Sequence, residues 1–163
     1  MEKSIYLILH NIRSLYNIGS LFRTADAFGV KKIYLCGISA HPLGDHERSR
    51  MAHRQMDKIA KTALGAERTV PWEYHRQTSR LIKKLKKQHV KIVALEITKK
   101  SVPLSHFKAK FPLALALGNE IKGISKNILR WCNEIVSIPQ SGTKESLNVA
   151  VAAAIALYAI RSK

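Results

Sequence analysis

The stretch 133–160, NEIVSIPQSGTKESLNVAVAAAIALYAI, constrains the fold more than any other part of the chain. Its opening run, Ile135-Val136-Ser137-Ile138, reads as a short strand ended by Pro139. A polar loop from Gln140 to Glu145 follows, with Gly142 free to take backbone angles closed to other residues. Then comes a run from Leu147 to Ile160 in which Asn148 is the one polar side chain before Tyr158. Ser146 is the expected N-cap of this helix. A helix apolar on every side is buried on every side, and this one is too short to cross a bilayer. One face is expected on the chain's own sheet. The other needs a second cover, for which a second subunit is the natural candidate. Ser146 and Asn148, the polar groups nearest the start of a buried helix, mark where a small-molecule site is expected.

At 163 residues the chain reads as one domain, 1–163, large enough for a real core. Lys+Arg number 28 against 11 Asp+Glu, a formal charge of +17, which favours a polyanionic partner. Nucleic acid leads. An anionic membrane surface comes second, because no basic amphipathic helix with aromatic anchors is present to support it. Cys36 and Cys132 have no metal-like spacing and read as reduced core residues, as suits a cytoplasmic protein. The N-terminal apolar run is too short for a signal peptide.

Taken in order, Ile5 to Leu9 is a strand candidate followed by a polar loop, His10 to Tyr16. Asn17 is the expected N-cap of the next helix, whose Ile18, Leu21, Phe22 and Ala25 form an apolar stripe ended by Gly29. Lys32 to Cys36 completes a β-α-β unit, which implies parallel pairing. Further helices are expected over Met51–Leu64, Thr78–Gln88 and Lys126–Cys132. Further strands are expected over Arg68–Trp72, Val90–Leu95 and Leu113–Leu117, the last fully apolar and so central. The chain is therefore α/β, with a mostly parallel sheet flanked by helices.

Ligands of open parallel sheets sit beyond the carboxyl ends of the strands. Three such ends are polar and carry glycine: His10–Ser20, Gly118–Ser125 and Pro139–Asn148. Taken singly, each has an ordinary reading. Gly118-Asn119 is a turn, Glu120 a solvated carboxylate, Arg23 a surface charge, Ser146 a cap. Together they argue more strongly, since all open on one rim. Nucleotide-loop, zinc-protease and serine-elbow motifs are absent. His41, His46 and His53 stand five and seven residues apart, which suits neither one helical face nor a metal site, and they read as surface or RNA-facing groups. The lysines from Lys83 to Lys87 read as a solvated helix face or a secondary phosphate contact.

Three linked segments carry a resemblance. Asn11-Ile-Arg-Ser-Leu-Tyr-Asn17-Ile-Gly19-Ser-Leu-Phe-Arg23 resembles the first motif of the SpoU (TrmH-like) RNA 2′-O-ribose methyltransferases of the SPOUT superfamily. Leu115-Ala-Leu-Gly118-Asn119-Glu120 with Gly123 resembles the second, and Ile138-Pro139, Gly142 and Ser146-Leu147-Asn148-Val149 with the Ala-rich helix the third. The resemblance implies a C-terminal trefoil knot, against the usual rule that chains are unknotted. It also implies S-adenosylmethionine held in the knot and a homodimer with each site near the subunit interface. Cofactor contacts are implied for Leu117, Gly118, Ile138 and Leu147. Catalytic and RNA-phosphate roles are implied for Asn17, Arg23, Glu120, Ser146 and Asn148, with Asn11 and Arg13 on the substrate RNA. Relatives often add an N-terminal RNA-binding domain or helical tails. Here the first strand starts almost at residue 1, so substrate selection is expected from the domain's own basic surface.

The implied reaction moves the cofactor's methyl group to a ribose 2′-hydroxyl in structured RNA, tRNA or rRNA. Its barrier lies in aligning two substrates and making a weakly acidic hydroxyl nucleophilic. Arg23 is either the base or a charged phosphate clamp. An RNA-binding dimer without activity, or an enzyme methylating an RNA base, would share the charge and the sheet.

Overall fold

A computed structural model describes residues 3–42, 50–144 and 146–162. The described residues form a seven-stranded sheet with only parallel pairings, in the order β3-β2-β1-β6-β4-β7-β5. The strands are β1 (Ile5–His10), β2 (Lys32–Cys36), β3 (Trp72–His75), β4 (Lys91–Leu95), β5 (Val102–Pro103), β6 (Leu113–Leu117) and β7 (Glu134–Ser137). The helices are α1 (Leu15–Ala27), α2 (Arg50–Ala63), α3 (Ala66–Thr69), α4 (Thr78–Lys87), α5 (Lys126–Leu129) and α6 (Val149–Arg161).

Strand alternation splits the core into two layers. Leu113, Leu115 and Leu117 of the central β6 join Leu7, Leu9, Ile33 and Leu35 under α1, α2 and α6. Ala114 and Ala116 face the other way with Ile8, Ile92 and Ala94, beneath α4 and the segment around α5. The alanines let Leu81, Ile82 and Leu85 of α4 approach the sheet closely. Burial pushes the Cys36 thiol up to about 12 and the Cys132 thiol up to about 11, and both are free.

Several boundaries differ from the expected ones. Residues 68–71 are not strand: Ala66–Thr69 form α3, and pairing begins only at Trp72, after Pro71, which lacks the N–H a ladder needs. The helix expected over Lys126–Cys132 stops at Leu129, because Trp131 N–H and Cys132 N–H bond three residues back rather than four. β5 is two residues long, too short for any periodicity to announce. His46 lies outside the described residues.

Both expected caps are displaced. The cap of α1 is Ser14, whose Oγ accepts the Asn17 N–H at 3.2 Å, so Asn17 sits inside the first turn with its side chain released. The cap of α6 is Asn148 rather than Ser146: its Oδ1 accepts from Ala150 N at 2.9 Å and Val151 N at 3.4 Å. At the far end of α6, the Arg161 guanidinium donates to the carbonyls of Phe28, Gly29 and Lys3, closing the last turn of α1 onto the N-terminus.

Gly19 is where α1 crosses α2. A Cβ there would overlap Thr62 Oγ1 and the Ile59 carbonyl. Gly19→Ala is expected to destabilise the fold by about 2 kcal/mol, the overpacking exceeding the ~1 kcal/mol that alanine gains in helix propensity. Urea unfolding at unchanged slope checks this.

Candidate active site

The carboxyl ends of β4, β6 and β7 open on a cleft of about 420 Å³. Its apolar walls include Leu117 from β6, Ile138 after β7, and Leu147, Val149 and Ala152 at the start of α6. Gly118, Glu120 and Ser146 also line it, so six of the residues expected at the site share one cavity. The Gly118–Gly123 loop is braced as a tight turn. Asn119 and Gly123 exchange backbone hydrogen bonds of 3.2 and 2.9 Å, Gly123 has φ +61°, and Asn119 Oδ1 accepts from Ile121 N and Lys122 N. A Cβ at Gly118 would overlap the backbone of Gly123 and Ile124, so this close return of the chain needs glycine.

Glu96, just past β4, was not anticipated. Its Oε2 accepts from Ile124 N at 2.7 Å and its Oε1 from Ile97 N at 3.0 Å, tying two walls of the cleft together. Its place at a strand's carboxyl end was the available signal. Gln140 also lines the cleft, and its Nε2 donates to the Ile138 carbonyl at 3.0 Å.

At the lip of the cleft the structure brings Asn17, Glu120 and Asn148 together. Asn148 Oδ1 is committed to backbone N–H groups, so its amide faces outward and donates to Asn17 Oδ1 at 3.0 Å. Asn17 Oδ1 is thereby the acceptor, and Asn17 Nδ2 donates to Glu120 Oε1 at 3.0 Å. One cap orientation therefore sets a directed relay, Asn148 to Asn17 to the Glu120 carboxylate, across 131 and 103 residues of chain. Arg23 lies six residues beyond Asn17, roughly 9 Å along the helix axis. It is exposed, as is Arg13, and no described residue pairs with either guanidinium.

Asn11 is a bracket between strand ends. At φ 60° it accepts the Ile38 N–H on Oδ1 at 3.0 Å, and its own carbonyl accepts from Asn119 Nδ2 at 2.9 Å. Its Nδ2 must then donate to His10 Nε2 at 3.1 Å, which leaves the His10 proton on Nδ1, facing Thr78 Oγ1 at 2.8 Å. A second proton on Nε2 would oppose the Asn11 amide, and burial holds the imidazole below its ordinary 6.5. The neutral ring is what the fold accepts. The unfolded chain therefore binds more protons as pH falls below 6.5, and stability contributed by His10 is lost in that direction. Thermal melting from neutral to acidic pH is expected to fall less steeply in His10→Asn, which keeps a polar partner for Thr78 without the titration.

The arrangement suits a flat, partly apolar ligand with polar edges in the cleft, held beside an oriented amide–carboxylate rim. The profile of the SpoU rRNA Methylase family matches residues 4–158. The 23S rRNA (guanosine-2′-O-)-methyltransferase RlmB of Neisseria meningitidis is 31% identical over 160 residues, covering 98% of this chain and 59% of that protein. The RlmB of Shewanella oneidensis is 32% identical over 163 residues, covering 96% and 59%. This chain thus spans about three-fifths of the length of these curated relatives. Among solved structures, the AdoMet-bound rRNA methyltransferase from Sinorhizobium meliloti superposes with a TM-score of 0.86 at 27% identity, over 99% of this chain and 57% of that one. With the profile running from before β1 into the last turns of α6, the chain belongs to the SpoU rRNA methylase family.

Proposed function

We propose that this chain is an RNA 2′-O-ribose methyltransferase, transferring the methyl group of S-adenosylmethionine to a ribose hydroxyl of structured tRNA or rRNA. The observation that carries this reading is the Asn148–Asn17–Glu120 relay standing at the lip of an apolar, backbone-edged cleft. The residues present fit the methyl donor. Leu117, Ile138 and Leu147 offer apolar walls for a planar base, and the braced turn at Gly118 presents main-chain polar groups without side-chain bulk. When bound, the cofactor supplies a methyl group already activated on a sulfonium.

The protein's task is then alignment and charge. Ser146 and the Glu120 carboxylate border the cleft where a ribose hydroxyl would enter. Asn17 and Asn148 hold Glu120 in one orientation. Arg23 and Arg13, exposed and unpaired among the described residues, meet the RNA phosphates. The same reading takes residues 1–163 as one catalytic domain acting in the cytoplasm. It also takes the C-terminal segment as threading a trefoil knot. In support, Glu96 after β4 is bonded both to the loop after β6, through Ile124 N–H, and to β7, through its own N–H to the Val136 carbonyl.

A homodimer completes it. Val151, Ile155 and Tyr158 lie along one face of α6 and are 49%, 40% and 66% exposed in the single chain, an apolar strip that a second copy would cover. Among the described residues no helix is long and apolar enough to cross a membrane.

The test is to incubate the protein with tRNA or rRNA and methyl-labelled S-adenosylmethionine, digest the RNA, and identify the labelled nucleoside. A 2′-O-methylated nucleoside is expected; label on a base, or none, would overturn the reading. RNA binding should also weaken steeply with salt, given a charge of +17. With roughly 5 phosphates contacted, the log–log slope is expected near −4, and a flat titration would remove charge as the driving force.

A further inference from the structure

Beyond the cleft, the same rim continues to the sheet edge, where it carries an aromatic cluster that the reaction does not use. Tyr74 of the edge strand β3 is 43% exposed, and its hydroxyl donates to the Gly37 carbonyl at 2.7 Å, which fixes the ring's position on the rim. The His41 ring lies 4.8 Å from that of Tyr74 and stacks at 6.0 Å on Trp72. The Pro42 carbonyl, which can only accept, lies 3.1 Å from His41 Nδ1 and places the ring proton there. Ile38, 66% exposed, stands beside Gly37 on the same rim.

This cluster is rigidly joined to the site. Ile38 N–H donates to Asn11, and the carbonyl of Asn11 accepts from Asn119, the neighbour of Glu120. Ala40 N–H donates to the Ile12 carbonyl, setting Arg13 against the segment that carries His41. His75 pairs with Cys36, so Arg76 emerges at the same edge. Arg13 and Arg76 are both exposed, and no described residue pairs with them. The nearest carboxylate on the strand, Glu73, is bound to Lys32 and His75.

We propose that Tyr74 and His41, flanked by Arg13 and Arg76, form a stacking platform for an unpaired nucleobase of the substrate RNA, adjacent to but separate from the methyl-transfer site. The inference rests on the RNA reading above. An exposed tyrosine ring with a half-buried imidazole against it, and exposed guanidiniums on a chain of charge +17, are a combination that binds single-stranded RNA, the rings taking bases and the cations the backbone. β3 stands three strand spacings from β6, about 14 Å. The base held there therefore belongs to a nucleotide within roughly four of the target ribose. The platform selects substrates in which unpaired nucleotides lie beside the modified one.

The experiment compares binding of two probes, an RNA hairpin with an unpaired loop and the same stem closed as a plain duplex. The wild type is expected to prefer the hairpin. Tyr74→Leu, which keeps apolar bulk without a π face, should lose about tenfold in hairpin affinity and much of that preference, with S-adenosylmethionine binding unchanged and a cooperative melting transition retained. Tyr74→Phe should stay close to wild type, and His41→Ala should show a similar, smaller loss. If the wild type prefers the hairpin but Tyr74→Leu and His41→Ala bind it as tightly, the platform is overturned while the methyltransferase reading stands. If these variants instead alter sedimentation and not RNA affinity, the cluster is a subunit contact and the proposal fails. A wild type that neither binds nor methylates RNA would overturn the function itself.

Discussion

Arg23→Ala is expected to lower RNA methylation by about 100-fold or more, the usual scale for losing a positioned charge or acid–base group. Binding of S-adenosylmethionine should barely change. Every wall of the cleft comes from the ends of β4, β6 and β7 and the start of α6, and Arg23 stands on α1, outside it. The side chain is exposed and no described residue holds it, so its removal leaves no buried partner unsatisfied and the fold should melt as before. Arg23→Lys sharpens the reading. A guanidinium keeps its charge in essentially any protein setting and presents a planar pair of donors matched to phosphate, whereas an ammonium is a point charge. A severe defect in the lysine variant assigns a geometric role to the guanidinium, whether as phosphate clamp or as base; near-normal turnover assigns it to charge alone. Normal methylation by both variants would remove Arg23 from the site.

The layers of this fold were legible because the apolar pattern is dense. Leu113–Leu117 reads as a central strand from composition alone, and the Ile18-Leu21-Phe22-Ala25 stripe reads as a helix face. The helix starts were harder for a local reason. Ser14 and Asn17 are both good caps, three residues apart, and so are Ser146 and Asn148 at two. What decides is the tertiary demand on the side chain left over. With Ser14 as cap, Asn17 is free to bond Glu120, and with Asn148 as cap, its amide is aimed at Asn17.

Contacts reaching across most of the chain leave no local trace, so the relay could be approached only through motif resemblance, which named its members and not their order. Glu96 carried no motif at all. Its role is to accept an N–H 28 residues away, and only the folded sheet brings that amide to it. The reverse holds for Asn11, whose motif membership suggested RNA. Its side chain and carbonyl are occupied by Ile38, His10 and Asn119, which makes it a strut between three strand ends.

The Ala-rich helix looked uniform in sequence, and the structure divides it. Ala153 and Ala156 are fully buried within the chain, together with Leu157 and Ile160, while Val151, Ile155 and Tyr158 remain outside. Charges placed on the two faces should therefore fail in different ways. In Ala153→Asp a carboxylate meets only apolar neighbours against α1 and the sheet. Burying an unpaired charge costs at least several kcal/mol after relaxation, comparable to the whole stability of a domain of roughly 5–15 kcal/mol. That variant is expected to lose its cooperative melting transition. Ile155→Asp puts the same charge where one chain leaves the residue 40% exposed, so the fold should survive with a melting transition near that of an isolated subunit. Its cost falls on association, because a second copy's apolar strip cannot solvate the carboxylate. Sedimentation equilibrium at micromolar concentration should report two-chain mass for the wild type and one-chain mass for Ile155→Asp. A wild type of one-chain mass would refute the dimer, and an Ile155→Asp that sediments as the dimer would move the interface elsewhere. A well-folded Ala153→Asp would contradict the packing of α6. Because the strip begins beside Leu147 and Asn148, where the cleft and the relay meet the helix, losing the partner copy is also expected to lower methyl transfer before it lowers the stability of the subunit.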